Sequence, residues 1–337
     1  MNHAALLRSL GLDDLADPAR AGRPFARAEL ERILATRNPL AAAALADLRR
    51  EAASGVTVTC PVTLRVRAPG LEAPHEDATR VSHALADVAG IDATEMQLVG
   101  TVPADTPLAH ATEMARSLVA ARPDLPLRAF TAADVAAIAG REHTSFAHVL
   151  AALAKAGVAT LDWRPGAEAP ADAVRIHRAA HEAGMRTFAP VAYARGEVGR
   201  ALLDRFDAFR EVAASTKGFV SAVVLPDRTE GASPLDGTSG VEDVLACALT
   251  RLALGDLVPH VTVDAHVLGH KLGATLLSCG ADDFVGAQAA RAWAPPTDDG
   301  PRPLNPARVT KCVIEARRSP VRRDGVFGGV DGTALSS

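Results

Sequence analysis

Short segments rich in β-branched residues alternate with longer amphipathic segments over most of the chain, and this alternation restricts the fold more than any other feature. Strand–helix alternation is typical of α/β proteins with a parallel sheet. The number and spacing of the units favour a (β/α)8 barrel of the TIM type over an open doubly wound sheet. The first strand–helix turn has no G-x-G-x-x-G, so a dinucleotide-binding fold has no support. The predicted strands cover residues 56–66, 95–99, 127–130, 160–163, 187–192, 219–225, 260–263 and 283–285.

The pattern of apolar residues, prolines and glycines divides the chain into three parts. Residues 1–55 predict an N-terminal helical extension, because proline begins two amphipathic segments there and Gly55 follows the second. Residues 56–293 hold the strand–helix units. Residues 294–337 predict a proline-rich linker, a C-terminal helix and a loose glycine-rich tail. The predicted helices between strands cover residues 77–89, 108–121, 132–156 with a break near His143, 171–183, 197–214, 240–254 and 266–278.

Charge and hydropathy exclude several classes of function. The net charge is −4 and no basic run occurs, which disfavours a nucleic-acid partner. No apolar stretch approaches the roughly 18 residues that a membrane span needs, and residues 1–14 lack a signal-peptide pattern. A cytoplasmic protein is therefore expected. The cysteines are far apart and form no C-x-x-C pair, so we expect four small buried side chains: Cys60, Cys247, Cys279 and Cys312.

Several short motifs resemble one family in the same order, from about residue 28 to residue 327. They include Gln97-Leu-Val-Gly100, Arg128-Ala-Phe-Thr-Ala132, His177-Arg-Ala-Ala-His181-Glu-Ala-Gly184, Leu268-Gly269-His270-Lys271-Leu272, Gly280-Ala-Asp-Asp283 and Ile314-Glu-Ala-Arg-Arg-Ser-Pro. Together they resemble the radical S-adenosylmethionine (SAM) enzymes aminofutalosine synthase, dehypoxanthine futalosine cyclase and the second subunit of FO synthase. The resemblance implies a radical SAM barrel from the menaquinone or deazaflavin pathways.

The resemblance also implies a C-x3-C-x2-C loop, which this chain does not keep. In the family three thiolates bind a [4Fe–4S] cluster and SAM chelates its fourth iron. Here the matching positions are Cys60, Leu64 and Arg67. Leucine has no donor atom, arginine keeps its positive charge, and one thiolate does not hold a cubane cluster. We therefore expect a degenerate member without cofactors, and a [4Fe–4S] cluster with SAM only if this interpretation fails.

Two further departures from the family lie in loops that follow predicted strands. The glycine pair after the second strand is Gly100-Thr101 here, and the long arm after the fourth strand is shortened to residues 164–170. In the family that arm helps to cover SAM and substrate. Together with the loss of the cluster cysteines, these changes make three at the carboxyl ends of predicted strands, and they predict an altered site.

Polar and aromatic residues at the predicted strand ends are the pocket candidates. Trp163 lies between Asp162 and Arg164, a set that suits a planar, nucleoside-like ligand, although the tryptophan could instead fill the shortened loop. Tyr193 could contact a ligand or pack at the rim. The full set is Thr101, Asp162, Trp163, Tyr193, Arg195, Asp264 and His266.

Histidines near the seventh strand suggest a metal or an acid–base site. Asp264, His266 and His270 could provide three ligands if one helix begins near His266, because residues four apart share a helix face. The alternative is that Asp264 caps the helix while the histidines are partly solvated. His177 and His181 are also four apart, and we interpret that pair as structural.

Three functions remain open from the sequence. The first is a cluster-free accessory protein of menaquinone biosynthesis by the futalosine route, or of a related pathway, which binds an intact radical SAM paralogue or a second copy of itself. The second is an enzyme of another class that reuses polar residues at the barrel mouth. The third is a true radical SAM enzyme whose missing ligands come from elsewhere in the chain.

Overall fold

The computed structural model describes residues 3–67, 90–100, 103, 105–164, 170–227, 237–289 and 304–328. These residues form two compact units. The first combines Met1–Cys60, Ala189–Val285 and Val309–Val321; the second combines Pro61–Phe188, Gly286–Arg308 and Arg322–Ser337. The predicted helix 77–89 lies outside the described residues, as do most of the predicted linker 294–306 and the end of the tail. No described helix is long and apolar enough to cross a membrane.

The first unit contains a six-stranded sheet whose order is β11-β1-β9-β8-β7-β6. The pairs β1–β9, β8–β9 and β7–β8 are parallel. The strands of this sheet are β1 Thr57–Cys60, β6 Thr187–Tyr193, β7 Phe219–Pro226, β8 His260–Asp264, β9 Asp283–Val285 and β11 Ser319–Arg322. The first two residues of β6 and the last residue of β11 belong to the second unit. The helices of the first unit are α1 His3–Ser9, α2 Ala16–Arg20, α3 Arg27–Ala35, α4 Pro39–Ser54, α9 Arg200–Thr216, α10 Gly240–Leu254, α11 Ala265–Leu268, α12 His270–Leu276 and α13 Pro306–Glu315.

A buried carboxylate ties α4 and α10 to this sheet. Asp282 is 1% exposed and accepts hydrogen bonds from Ser54 Oγ at 2.7 Å and from the Val261 amide at 2.8 Å. It also forms an ion pair with Arg251 of α10 at 2.5 Å. Burial would raise the pKa of this carboxyl, but Arg251 and His260 outweigh burial and hold the pKa well below its usual range. Because two neighbouring elements depend on one ionised group, Asp282 fixes their position against the sheet.

The second unit contains a five-stranded parallel sheet whose order is β10-β2-β3-β4-β5. Its strands are β2 Val62–Arg67, β3 Glu95–Val99, β4 Leu127–Arg128, β5 Val158–Thr160 and β10 Ala287–Gln288. Its helices are α5 Leu108–Ala121, α6 Ala132–Arg141, α7 Phe146–Lys155 and α8 Pro170–Glu182. Apolar side chains of one sheet face pack against these helices in a continuous core.

The predicted α/β class with parallel sheets is confirmed. The helices predicted at 108–121 and 240–254 match α5 and α10 at both ends. The break near His143 is also confirmed, because α6 and α7 flank His143, whose φ is 49°. The single strand predicted over 56–66 is wrong. Pro61 has no amide hydrogen to donate, and it separates β1 from β2, which belong to different sheets.

Candidate functional site: a charged polar face on the five-stranded sheet

One face of the five-stranded sheet carries buried polar side chains. Registers pair Thr63 with Glu95, Gln97 with Arg128, and Arg128 with Thr160. The intervening residues, such as Leu64 and Met96, belong to the apolar core. Because successive residues of a strand face opposite sides, the polar residues share the other side. We call this set the polar face: Thr63, Glu95, Gln97, Arg128 and Asp162, each 8% exposed or less.

Glu95 is fully buried and has three partners. Its Oε1 accepts a hydrogen bond from Thr63 Oγ1 at 2.7 Å and lies 3.1 Å from Arg128 Nη2. Its Oε2 lies 3.4 Å from Nη1 of Arg323, which follows β11. A buried carboxylate is costly unless it is paired, and here two guanidinium groups pair with it.

Asp162 is the second buried carboxylate of the polar face. Arg164 Nε donates to Asp162 Oδ2 at 2.6 Å, and Gln97 Nε2 donates to the same oxygen at 3.3 Å. Arg128 Nε lies 3.9 Å from Asp162 Oδ1, an ion pair without a hydrogen bond. Burial raises the pKa of the Asp162 carboxyl, but Arg164 and Arg128 outweigh burial, so its pKa lies below the usual range. Asp162 is therefore ionised at neutral pH.

Trp163 packs beside this cluster. The guanidinium carbon of Arg128 lies 3.6 Å from the centroid of the indole, and the Phe188 ring meets Trp163 edge-on with centroids 4.7 Å apart. Trp163 is 4% exposed. Since Arg128 lies over one face of the indole, a planar ligand cannot stack on that face. The geometry favours the packing interpretation of Trp163.

Arg128 itself has donors with no partner. It is 1% exposed, and among the described residues no acceptor reaches its buried Nε or Nη1. These two atoms carry three of the five N–H groups of a guanidinium. An unsatisfied buried donor costs free energy, so such groups in native proteins call for an explanation.

The cysteines are buried, as the sequence predicts. Cys60 is fully buried at the end of β1, where its Sγ lies 3.7 Å from the Val58 carbonyl oxygen. Leu64 is fully buried in the apolar core, and the side chain of Arg67 lies outside the described part of the chain. None of the four cysteines forms a disulfide. Burial raises the pKa of Cys247 well above its usual value and that of Cys279 to about 12, so these two stay protonated at neutral pH.

The structure favours the capping interpretation of the residues after the seventh strand. Asp264 Oδ1 accepts a hydrogen bond from the His266 amide at 2.8 Å and caps α11, as the alternative interpretation proposed. α11 ends at Leu268, and Gly269, with φ of 77°, separates it from α12, which begins at His270. The two histidines therefore lie on different helices and cannot stack one turn apart. Within the described ranges, no three His, Cys, Asp or Glu side chains are grouped to hold a metal ion.

The remaining pocket candidates are dispersed. Tyr193 is buried, and its hydroxyl donates to Asp243 Oδ1 at 2.7 Å, so it packs inside the first unit. Arg195 is exposed two residues later. Thr101 lies outside the described residues. Of the predicted candidates, the structure brings Asp162 and Trp163 together.

The histidines of α8 share one face, as their spacing predicts. His177 Nδ1 lies 3.1 Å and His181 Nε2 2.7 Å from the hydroxyl oxygen of Thr187. Burial, with a smaller effect of His181, lowers the pKa of His177 to about 3. Burial and then Arg186 lower the pKa of His181 to about 4. Both imidazoles are neutral at pH 7 and serve the fold.

Sequence reasoning missed Glu95, Gln97, Arg128 and Arg323 as site residues. In the sequence, Gln97 and Arg128 stand out only as parts of the motifs that resemble the family. The available signal was a charged or amide side chain inside a short strand that is otherwise apolar, which rarely occurs in a buried sheet without a partner.

Comparison with solved structures identifies the fold. No family model matches the chain. Solved structures of methylornithine synthase and of the [FeFe]-hydrogenase maturase both superpose with a TM-score of 0.63, at 13% and 12% identity, and each match covers 91% of this chain. These matches cover 97% of the methylornithine synthase chain and 74% of the maturase chain. At such low identity the similarity shows the fold alone.

Sequence relatives define the family. Aminodeoxyfutalosine synthase of Thermus thermophilus is 30% identical over 261 residues, covering 69% of this chain and 68% of the relative. The Streptomyces coelicolor enzyme of the same name is 27% identical, with 80% and 76% covered. The 5-amino-6-(D-ribitylamino)uracil–L-tyrosine 4-hydroxyphenyl transferase of Methanopyrus kandleri is 28% identical, with 73% of each chain covered. The chain belongs to the radical SAM family that includes aminodeoxyfutalosine synthase.

Proposed function

We propose that the chain is a cluster-free member of this family, with a (β/α)8 barrel, that acts as an accessory or partner protein in menaquinone biosynthesis by the futalosine route or a related pathway. The observation that carries the proposal is the donor set at the three positions that match the family's cluster motif. They offer one thiol, Cys60 at the end of β1, whereas the other two, Leu64 and Arg67, lie within strand β2, and Leu64 is fully buried in the apolar core.

The rest of the chain offers no replacement thiolates for the cluster. A cubane held by protein needs three thiolates. Cys247 lies in α10, Cys279 follows α12 and Cys312 lies in α13; all three are buried, and burial raises the pKa of Cys247 and of Cys279. The residues present therefore do not fit a [4Fe–4S] cluster, and we propose no reaction step through one.

The pathway and the partner are inferred from the relatives. Two of the similar proteins are aminodeoxyfutalosine synthases, and a third transfers a 4-hydroxyphenyl group from tyrosine, as their names state. A protein that keeps the fold without the cluster would support such a pathway by binding an intact paralogue, or it would associate with a second copy of itself.

Anaerobic reconstitution with iron and sulfide tests the proposal. We expect a colourless protein with far less than the roughly four irons per chain of a [4Fe–4S] cluster. The Cys60→Ser variant should retain the same low iron content, because a single thiol does not hold the cluster. A radical SAM enzyme with the full motif, treated in parallel, checks the procedure. A brown protein with about four irons per chain, lost in Cys60→Ser, would refute the proposal.

SAM binding provides a second prediction. Without the fourth iron of a cluster, the amino and carboxylate groups of SAM lose their anchor, so calorimetry should detect no binding at micromolar SAM. A dissociation constant near 1 µM, about −8 kcal/mol, would contradict this and favour a site that binds SAM without iron.

A non-radical enzyme is the second candidate, and the polar face is the observation that favours it. Two buried carboxylates, Glu95 and Asp162, lie among arginines. Asp162 lies beyond the carboxyl end of β5, where α/β enzymes place their sites, whereas Glu95 begins β3. Turnover of a small molecule by the isolated protein, with loss of that activity in Asp162→Asn, would favour the enzyme function over the partner function.

A further inference from the structure

We infer that the polar face binds the carboxylate or phosphate group of a small molecule, with Arg128 as the principal donor and Arg164 at the entrance. The inference begins with the incomplete hydrogen bonding of Arg128. Its Nη2 faces Glu95 at 3.1 Å, while its buried Nε and Nη1 reach no acceptor among the described residues. A ligand that supplies acceptor oxygens would satisfy these donors.

The charges of the cluster favour an anionic ligand over a neutral one. Arg128, Arg164, Arg323 and Arg65, which pairs in register with Gln97, contribute four positive charges among the described residues. Glu95, Asp162 and Asp134, whose carboxyl interacts with Arg164 and Asp162, contribute at most three negative ones. The low pKa of Asp162 keeps that carboxylate ionised at neutral pH. One positive charge is left over in a region from which water is largely excluded, and a monoanion would neutralise it.

Arg164 provides the route from solvent. It follows β5, its side chain is 39% exposed, and its Nη2 donates to the Gly100 carbonyl oxygen at 3.2 Å. It is thus the member of the cluster that can move without breaking core packing. Its position beyond the carboxyl end of a parallel strand is the usual ligand-binding edge of such sheets.

Carboxylate and phosphate share the chemistry that these donors recognise. Both present oxygen acceptors to guanidinium N–H groups and both carry negative charge. Bound water is the competing occupant. Water would satisfy the free N–H groups but would leave the extra positive charge, so the response of the protein to added anions distinguishes the two.

Trp163 makes the site directly observable. The chain has two tryptophans, Trp163 and Trp293. In a Trp293→Phe background, emission comes from Trp163 alone, whose ring lies 3.6 Å from the Arg128 guanidinium carbon. Potassium phosphate and potassium acetate are titrated separately, with potassium chloride at the same ionic strength as the blank.

We expect a saturable change in Trp163 emission with phosphate, acetate or both, in the millimolar range or tighter. The anion that binds with the lower dissociation constant, phosphate or acetate, identifies the class of ligand. Arg164→Gln should weaken binding by about tenfold or more, the expected effect of losing one charge-assisted contact. Arg175→Gln, on an arginine of α8 whose side chain is 70% exposed, should leave binding unchanged.

Emission that follows the chloride blank in both titrations would overturn the inference, and so would an equal response in Arg164→Gln. The inference rests on the proposed function in one respect: a protein loaded with a cluster and SAM would hold those groups at the strand ends instead. Iron is therefore measured on the same sample. Iron-free protein without an anion response contradicts the binding site alone, whereas about four irons per chain contradicts the proposed function.

Discussion

Replacing Arg128 with methionine should lower the free energy of unfolding by about 3–5 kcal/mol, the usual cost of breaking a buried charge cluster by removing one partner. Arg128 is 1% exposed and lies between two fully desolvated carboxylate side chains, Glu95 and Asp162. Methionine keeps much of the volume over the Trp163 ring but removes the charge. The penalty therefore comes mainly from the carboxylates that remain, not from a cavity.

Urea unfolding at neutral pH measures this effect, with an unchanged m value as the sign that the native state stays compact. Arg175→Met is the matched control. Its ion pair with Asp172 is exposed, so its loss should cost about 0–1 kcal/mol. Arg128→Lys should fall between the two, because it restores a charge but neither the fork of donors nor the flat guanidinium group. An Arg128→Met loss no larger than the control would show that Arg323 and Arg164 neutralise the carboxylates unaided.

The order of elements was accessible from the sequence because it depends on local patterns. Serine at position 239 and glycine at position 255 delimit α10, and both ends follow from capping chemistry that lies within a few residues. The family was also accessible, because the motifs occur in one order along the chain and the relatives confirm it. Pro61 and Gly269 were visible signals as well, but an apolar run and a helical spacing concealed the breaks that they cause.

The polar face was not accessible because it depends on register between strands that are distant in sequence. Gln97 and Arg128 are adjacent only because β3 and β4 pair with that particular offset. A shift of one residue would exchange every polar side chain for an apolar one. Arg323 is further removed, since it reaches Glu95 from the end of the chain. A sequence without an alignment carries no record of these pairings.

The stability of the protein should also fall steeply between pH 6.5 and pH 4.5, because two histidines are neutral in the native state. His177 has an unfolded pKa of 6.5 and a folded pKa of about 3. Between pH 6.5 and about pH 3, His177 is protonated in the unfolded chain but neutral in the folded chain. The free energy of unfolding that is present above pH 6.5 is therefore lost as the pH falls towards about 3. At pH 4.5 the loss from His177 is about 3 kcal/mol, from two pH units at 1.36 kcal/mol each.

Other groups with shifted pKa values also contribute. Asp134 acts in the opposite direction, because burial raises its pKa and the folded chain therefore binds its proton at a higher pH than the unfolded chain does. His181, with a folded pKa of about 4, changes stability in the same direction as His177, but it is partly exposed and solvent reduces its effect. Asp162 and Asp282 have pKa values below the usual range, so the stability that they contribute is lost only as the pH falls below about 4. The pH 6.5–4.5 interval therefore reports on the histidines and, in the opposite direction, on Asp134.

Urea unfolding at pH 7.5, 6.5, 5.5 and 4.5 separates these contributions when wild type is compared with His177→Asn. Asparagine does not titrate and can still reach the Thr187 hydroxyl. The unfolding free energy of His177→Asn should therefore depend less steeply on pH, by the slope that uptake of about one proton on unfolding produces. His148→Asn is the control for the substitution itself, because His148 is exposed. A wild-type curve as flat as that of His177→Asn would mean that His177 is protonated in the folded protein, and the Thr187 contact would then have to be one in which the imidazolium donates.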